Sequence, residues 1–192
     1  HYAHYPHTDY PLLLSGTVAR AWTYLGQETV LVPAAIALLF SLTTISLMYS
    51  SISHFKGRLH GVMAALTLIA APYFVVQSVW QYADVPLGCM VLSTLIFFAL
   101  EDSNPDDAHS FAVFAGMSTG FCAWMKNEGL LIMLCMILSR AVIIISSKGR
   151  RAYLSETRRF MMGFLPIVLM IVFYKIRFAP PNDLISGQGA AT

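Results

Sequence analysis

Six long apolar runs constrain the fold of this chain more than any other feature. A helix that crosses a membrane needs about 20 mostly apolar residues, and the six runs reach or approach that length, at residues 30–50, 59–80, 85–100, 110–125, 129–147 and 160–174. They are continuously apolar rather than alternating, which favours helices over a membrane barrel. We therefore expect an all-α membrane protein with about six transmembrane helices.

Composition supports this expectation and excludes other classes. The chain is 57% hydrophobic and only 11% charged, whereas a soluble domain carries about 25% charged residues. The same values exclude a disordered chain, which would be polar and rich in charge. Twelve Lys and Arg against ten Asp and Glu give a net charge of +2. That balance is too weak to indicate nucleic acid as a partner.

The segment 12–25 differs from the six runs, because it is too short to span a membrane and contains Arg20. At helical spacing, Leu14, Val18, Trp22 and Leu25 share one face, and polar residues lie opposite. This pattern is typical of an amphipathic helix at the membrane surface. A short first span packed inside the bundle is the alternative. The expected fold is thus about six spans and one interfacial helix.

The distribution of Lys and Arg orients the six spans. Eight of these residues lie in or beside the loops 51–58, 101–109 and 148–159, and four lie in the other set of loops. An excess of positive charge marks the cytoplasmic side, so we expect both ends of the chain to be external. The acidic residues of 101–109 are interpreted as a solvated loop.

We expect an internal piece of a longer membrane protein. In that interpretation residues 1–29 end a first external loop and include the amphipathic helix. Residues 30–178 form the transmembrane bundle, and residues 179–192 begin the next external loop.

Three external segments carry ionisable residues next to apolar runs. They contribute His4, His7, Asp9, Asp84, Lys126 and Glu128. Ionisable groups at the edge of hydrocarbon are costly and normally face a bundle interior or a wet cavity. Because the expected topology puts all three segments at one membrane face, we expect a functional site there.

Each candidate also has a simpler structural explanation. Asp84 precedes Pro86, a residue that often opens a helix, and an acid there complements the helix dipole. Lys126 and Glu128 can form a local ion pair at a helix end, or Lys126 can bind an anionic phosphate group. Asn127 can cap the following helix through its side-chain oxygen.

The remaining external candidates leave similar alternatives. His7 and Asp9 can share a face in an extended loop, or belong to a loop with only a structural role. Tyr82 and other external aromatic residues form an interfacial belt or a platform on which a sugar stacks. His4, His7 and Asp9 can bind a cation, but we expect no metal site.

The order of these motifs resembles the multi-spanning glycosyltransferases of the GT-C architecture. It is most similar to the protein O-mannosyltransferase and aminoarabinose-transferase group, related to glycosyltransferase family 39 and including a domain like that of rhizobial lipopolysaccharide sugar transferases. In that group a His/Lys-Pro-Pro-Leu-like motif closes the first external loop, where this chain has His7-Thr-Asp-Tyr-Pro-Leu. An Asp-x-Pro-Leu pattern is matched by Asp84-Val-Pro-Leu, and a Thr-Lys-Gly-like motif by the stretch 120–129.

The resemblance covers roughly residues 5 to 140. It implies transfer of a sugar from a polyprenyl-phosphate donor to a glycan, lipid or protein acceptor, with no certain cofactor beyond that donor. It places the site at the periplasmic face of a bacterial inner membrane and implies a role in making the cell envelope. It also places the main catalytic carboxylate in the first external loop, upstream of residue 1.

The chemistry of such a transfer assigns roles to the candidates. Lys126, assisted by His7, would neutralise the leaving lipid phosphate. Asp9 and Asp84 are the candidate catalytic carboxylates, Asp9 on the acceptor side and Asp84 in orienting or binding the substrate. Two further residues complete the expected substrate-binding set, Glu128 and Tyr82. A transporter or flippase of lipid-linked sugars and a non-catalytic membrane scaffold are the alternatives.

Overall fold

The structure is a computed structural model that describes residues 13–80 and 82–177. This part of the chain is all-helical and contains no strand, which confirms the expected fold class at that level. Its eight helices are α1 (Leu13–Leu25), α2 (Leu31–Lys56), α3 (Arg58–Ala70), α4 (Pro72–Trp80), α5 (Asp84–Ser103), α6 (Ala108–Met125), α7 (Glu128–Ser147) and α8 (Arg150–Arg177).

Four of these helices are long and apolar enough to cross a membrane. They are α2, α5, α7 and the part of α8 from Tyr153 to Arg177, and α3 with α4 adds a fifth if the bent pair is one span. The fourth apolar run of the sequence, residues 110–125, lies in α6, but α6 is not one of these four candidate spans. The expected count of about six is therefore not confirmed. The length and composition of these helices indicate an integral membrane protein.

The run 59–80 is broken rather than continuous. Ala71 has an extended backbone (φ −75°, ψ 110°), and Pro72 begins α4. A proline disfavours helical geometry in the residue before it and donates no backbone hydrogen bond. The two halves meet at an angle of 65°, so α4 leaves the direction set by α3.

The helix α6 forms the centre of the bundle. Its buried positions are mostly small residues, which let α5 and α8 pack against it. The helix α8 approaches α6 closely, because side chains are missing at Gly116 of α6 and Gly163 of α8. A Cβ at Gly116 would collide with the carbonyl oxygen of Phe160, and one at Gly163 with that of Val113.

The helix expected at 12–25 is present as α1. None of its residues is buried, but Leu13 and Leu14 pack against a core cluster of Leu87, Cys122 and Met125. The start of α1 therefore lies at the end of the bundle where α5 begins and α6 ends. Its position at a membrane surface stays a prediction.

The helix α5 separates two polar regions. Asp84 lies in its first turn and Glu101 near its last. At a rise of about 1.5 Å per residue the two are roughly 25 Å apart, which approaches the thickness of the hydrocarbon core of a bilayer. The interpretation of the acidic residues of 101–109 as a solvated loop is wrong for Glu101, which is only 6% exposed and lies within the helix.

Candidate functional site

Three of the predicted site residues meet where α5 begins and α6 ends. Lys126 Nζ lies 3.2 Å from Asp84 Oδ1 and 3.5 Å from Glu128 Oε1. We call these three residues the Lys126 cluster. Asp84 comes from a helix about forty residues away in sequence, so this contact is tertiary. The sequence-based prediction that Asp84 and Lys126 lie at one face is consistent with this geometry.

The junction between α6 and α7 sets the position of Lys126. Its backbone is extended (φ −156°, ψ 153°), which ends α6. The N–H of Gly129 donates to the Lys126 carbonyl at 2.9 Å. A Cβ at Gly129 would collide with the carbonyl oxygen of Cys122, so glycine lets α7 start directly against α6. The junction is short and holds the lysine between two helix ends.

The simpler explanations of these residues were a helix-dipole effect for Asp84 and a local ion pair for Lys126 and Glu128. Asp84 does lie in the first turn of a helix, where an acid is favourable, and it also pairs with Lys126. The local pair of Lys126 with Glu128 is present, but the Glu128 side chain is 58% exposed. An exposed ion pair contributes little to stability, so Asp84 is the stronger partner.

The expectation that Asn127 caps α7 through its side chain is wrong. Asn127 occupies the residue before α7 but makes no side-chain capping hydrogen bond. Its Oδ1 instead accepts a hydrogen bond from Lys175 Nζ at 3.0 Å. This contact brings the end of α8 to the Lys126 cluster and adds a second cation to that end of the bundle.

The other predicted residues are less constrained. Tyr82 is exposed, and its ring meets that of Trp80 edge to face with centroids 5.8 Å apart. The aromatic belt and the stacking platform both stay predictions for this pair. His4, His7 and Asp9 lie outside the described residues.

A cavity of about 380 Å³ adjoins the Lys126 cluster. It is lined by residues of α2, the bent α3–α4 pair and α5, and Asp84 is one of them. Gln77 of α4 also lines it, is only 8% exposed, and has no hydrogen-bond partner for Oε1 among the described residues. Sequence reasoning missed Gln77, although a lone amide in an apolar run that contains Pro72 was a visible signal.

A second ionic cluster lies toward the other end of α5. We call it the Arg140 cluster, and it comprises Glu101, Asp102, Arg140, Lys148 and Glu156. Arg140 donates to Asp102 Oδ2 at 2.6 Å, to Glu101 Oε2 at 3.0 Å and to Glu156 Oε2 at 3.3 Å. Lys148 Nζ donates to Asp102 Oδ1 at 2.7 Å and to Glu156 Oε1 at 3.0 Å. The cluster ties α5, α7 and α8 together.

Burial distinguishes this cluster from an ordinary surface network. Arg140 is 8% exposed and its guanidinium lies over the ring of Phe98, 4.8 Å from the centroid. Burial alone would lower the pKa of Lys148, but its hydrogen bonds to Asp102 and Glu156 outweigh this and raise it. Lys148 therefore stays charged at neutral pH. Two features of the sequence indicate this cluster. Arg140 lies inside the apolar run 129–147, and Glu101 and Asp102 directly follow the apolar run 85–100.

A metal site has no support in the part of the chain that the structure describes, where no group of three or more His, Cys, Asp and Glu side chains is placed to hold an ion. The chemistry available at the Lys126 cluster is that of one half-buried cation between carboxylates, beside a mostly apolar cavity. Comparison with family models, with curated proteins and with solved structures finds no match to this chain.

Proposed function

We propose that this chain belongs to an integral-membrane glycosyltransferase that takes its sugar from a polyprenyl-phosphate donor. The observation that carries the proposal is the meeting of Lys126 and Asp84 beside a cavity at one end of the bundle. A lipid-linked donor needs a site at the membrane edge, where a cation can meet its phosphate. The order of motifs, similar to that of the GT-C group, supports the same reaction.

The proposed step is displacement at the anomeric carbon. The acceptor hydroxyl oxygen forms a bond to that carbon, the bond from carbon to the phosphate oxygen breaks, and the hydroxyl proton passes to a base. Lys126 stabilises the charge that develops on the leaving lipid phosphate. Asp84 holds the ammonium group in place and orients the substrate.

The remaining roles follow the resemblance. His7 assists Lys126 at the phosphate, Glu128 and Tyr82 contribute to donor binding, and Asp9 lines the acceptor side. In the group that this chain resembles, the main base belongs to the first external loop. The acceptor is a glycan, lipid or protein, and the active face is the periplasmic side of a bacterial inner membrane.

The test uses the full-length protein in nanodiscs with a panel of radiolabelled polyprenyl-phosphate sugars. Transfer of label to an acceptor, or slow release to water, is the readout. We expect turnover that collapses in folded Lys126→Ala and Asp84→Asn variants. Lys56→Ala is the matched control, because Lys56 is an exposed cation in the last turn of α2. Absence of turnover with every donor would refute the proposal.

The bent α3–α4 pair favours a second candidate, a transporter or flippase of lipid-linked sugars. Transporters often bind their substrates at broken helices, and the 65° break lies near the cavity that contains Gln77. The same protein separates the two functions when it is reconstituted in sealed vesicles instead of nanodiscs. Movement of the lipid-linked sugar across the bilayer without bond formation would identify a transporter. If the protein shows neither transfer nor transport, the non-catalytic membrane scaffold is the interpretation that remains.

A further inference from the structure

The first turns of α8 present two faces with different surroundings. Tyr153, Glu156 and Phe160 point into the bundle, where they line a small cavity that Arg140 also lines. Glu156 accepts hydrogen bonds from Arg140 and Lys148. This inward face is occupied by packing and by the Arg140 cluster, so a further ligand has to meet the outward face.

The outward face carries arginines that have no acidic partner among the described residues. Arg150, Leu154 and Arg158 are spaced four residues apart, so they follow one side of the helix, and all three are exposed. We call them the α8 basic stripe. In the part of the chain that the structure describes, the acids of the Arg140 cluster bind Arg140 and Lys148 instead. The stripe thus offers two guanidinium groups to a ligand.

The basic stripe continues into an exposed apolar side of α8. Met162, Leu169 and Phe173 lie on the same side of the helix as Arg158, and each is more than half exposed. The part of α8 that contains them is long and apolar enough to cross a membrane. Exposed apolar residues on such a helix contact lipid chains, which are as apolar as leucine. Arg158 therefore faces the lipid that covers this apolar side.

The length of α8 places Arg158 at the depth of lipid headgroups. The helix has 28 residues and, at a rise of about 1.5 Å per residue, is roughly 42 Å long, which exceeds the hydrocarbon thickness of about 30 Å. Arg158 lies about 28 Å along the helix from Arg177, so these two arginines bracket a length close to that thickness. Long basic side chains at such positions extend their charged groups to the interface.

Charge selects the class of lipid that fits the stripe. A guanidinium group forms paired hydrogen bonds with phosphate oxygens, and every phospholipid carries a phosphate. In a zwitterionic headgroup an ammonium group cancels the phosphate charge, whereas an anionic headgroup keeps a net negative charge. Two arginines without acidic partners among the described residues favour the anionic headgroup. The excess of Lys and Arg at this end of the bundle also predicts the cytoplasmic leaflet, whose surface is negative.

We propose that the α8 basic stripe binds the headgroup of an anionic phospholipid. Arg158 binds the phosphate, Arg150 adds attraction from the side away from the bilayer, and an acyl chain of the lipid lies along Met162 and Leu169. This proposal goes beyond sugar transfer and does not depend on it, because no residue of the stripe belongs to the Lys126 cluster.

The experiment measures lipid binding to the full-length protein in detergent by native mass spectrometry. The probes are phosphatidylglycerol and phosphatidylcholine with the same acyl chains, which share the phosphate and differ in net charge. We expect phosphatidylglycerol to bind more tightly, by about fivefold for each of the two arginines. Arg158→Gln should lower that preference about fivefold, and the double variant Arg150→Gln with Arg158→Gln should remove it.

Two further variants keep this test interpretable. Lys56→Gln is the matched control, because Lys56 is an exposed cation at the same end of the bundle but belongs to α2. It should leave the preference nearly unchanged. Arg158→Lys keeps the charge but loses the paired hydrogen bonds, so it should keep part of the preference. Since both arginines of the stripe are exposed, their variants should fold, and thermal unfolding in phosphatidylcholine nanodiscs checks this.

Three outcomes would overturn the proposal. The first is equal affinity of the unmodified protein for the two lipids, or a preference that persists in the folded double variant. The second is an equal loss in Lys56→Gln and Arg158→Gln, which would mean that general surface charge attracts the lipid. The third is displacement of phosphatidylglycerol by an equal concentration of inorganic phosphate, which would make free phosphate the ligand. Turnover in the separate sugar-transfer assay tests the proposed function independently of all three.

Discussion

Arg140 on α7 donates to Glu101 on α5 at 3.0 Å, and both residues are more than nine-tenths buried. The two helices are also separated by a cavity of about 530 Å³ whose lining includes Arg140 and Asp102. The ion pair thus bridges a gap between helices at one end of the bundle. Its partners come from segments 39 residues apart, so it constrains the tertiary fold.

Removing Arg140 should destabilise the protein strongly. Arg140→Met would leave Asp102 and Glu156 paired with Lys148, and would leave buried Glu101 with no ion-pair partner among the described residues. Breaking a buried ion pair from one side costs roughly 3–5 kcal/mol because the other charge stays buried. We expect a clear fall in the thermal unfolding temperature in nanodiscs.

The control for this change is Arg158→Met, since Arg158 is an exposed residue of α8. That substitution should alter stability by less than about 0.5 kcal/mol. Equal effects of the two substitutions would mean that the Arg140 cluster contributes nothing beyond an ordinary surface charge.

The helices and the Lys126 cluster could largely be anticipated from the sequence. Long apolar runs must satisfy their backbone hydrogen bonds internally, so they predict helices without reference to tertiary structure. The placement of Asp84 and Lys126 at the same end of the bundle follows from counting, because antiparallel neighbours return the chain to the same end after each pair of helices. No knowledge of helix rotation is needed for that step.

The Arg140 cluster and Gln77 depend on information that apolar runs do not contain. Arg140 meets Glu101 and Glu156 only because α7 is rotated and shifted in one particular way against α5 and α8, and a continuous apolar run fixes neither. Gln77 reaches the cavity because of the bend at Pro72. The proline was visible, but the direction taken after it depends on packing against α5 and α2.

The contact between α6 and α8 should be intolerant of a single methyl group. Gly116→Ala or Gly163→Ala would place a Cβ against a backbone carbonyl of the opposite helix, and backbone cannot move aside as a flexible side chain can. Overpacking of this kind costs typically 1–3 kcal/mol. Thermal unfolding in nanodiscs should therefore shift down for both variants.

Gly88→Ala provides the matched test of that interpretation. Gly88 is also helical, but a Cβ there meets nothing within 4 Å. Alanine is favoured over glycine within a helix by about 1 kcal/mol, so this variant should be as stable as the original or more stable. A loss of stability at Gly88 as large as that at Gly116 would rule out the collision as the cause.

The Arg140 cluster should weaken at strongly alkaline pH. The pKa of Lys148 is raised in the folded protein, because hydrogen bonds to Asp102 and Glu156 outweigh the effect of burial. Stability from a raised pKa is fully present below the unfolded value, about 10.4 for lysine, and is lost as pH rises through the higher folded value. Since Lys148 is partly exposed, the contribution is modest.

Lys148→Met isolates this contribution. The unfolding temperature of the original protein should fall more steeply above about pH 10.4 than that of the variant, while both follow the same course between neutral pH and about pH 9. Parallel curves throughout would show that Lys148 gains nothing from its two carboxylate partners.

The two carboxylates of the Lys126 cluster should differ in their effect on sugar transfer. Asp84 lies 3.2 Å from Lys126 and lines the adjacent cavity, whereas Glu128 lies at 3.5 Å and its side chain is mostly exposed. Under the proposed function, Lys126→Ala should lower kcat by about 10²–10³, as removal of one stabilising group for a developing anion does. Asp84→Asn should lower kcat by nearly as much as Lys126→Ala. Glu128→Gln should change kcat by less than about tenfold, since exposed ion pairs are weak.

Steady-state kinetics with one polyprenyl-phosphate sugar in nanodiscs would establish this order. Lys126→Arg is the informative companion, because it keeps the charge at the cluster and should retain part of the activity lost in Lys126→Ala. If Glu128→Gln proved as damaging as Asp84→Asn, the local pair at the start of α7 would be the functional one. The contact between α5 and the α6–α7 junction would then have only a structural role.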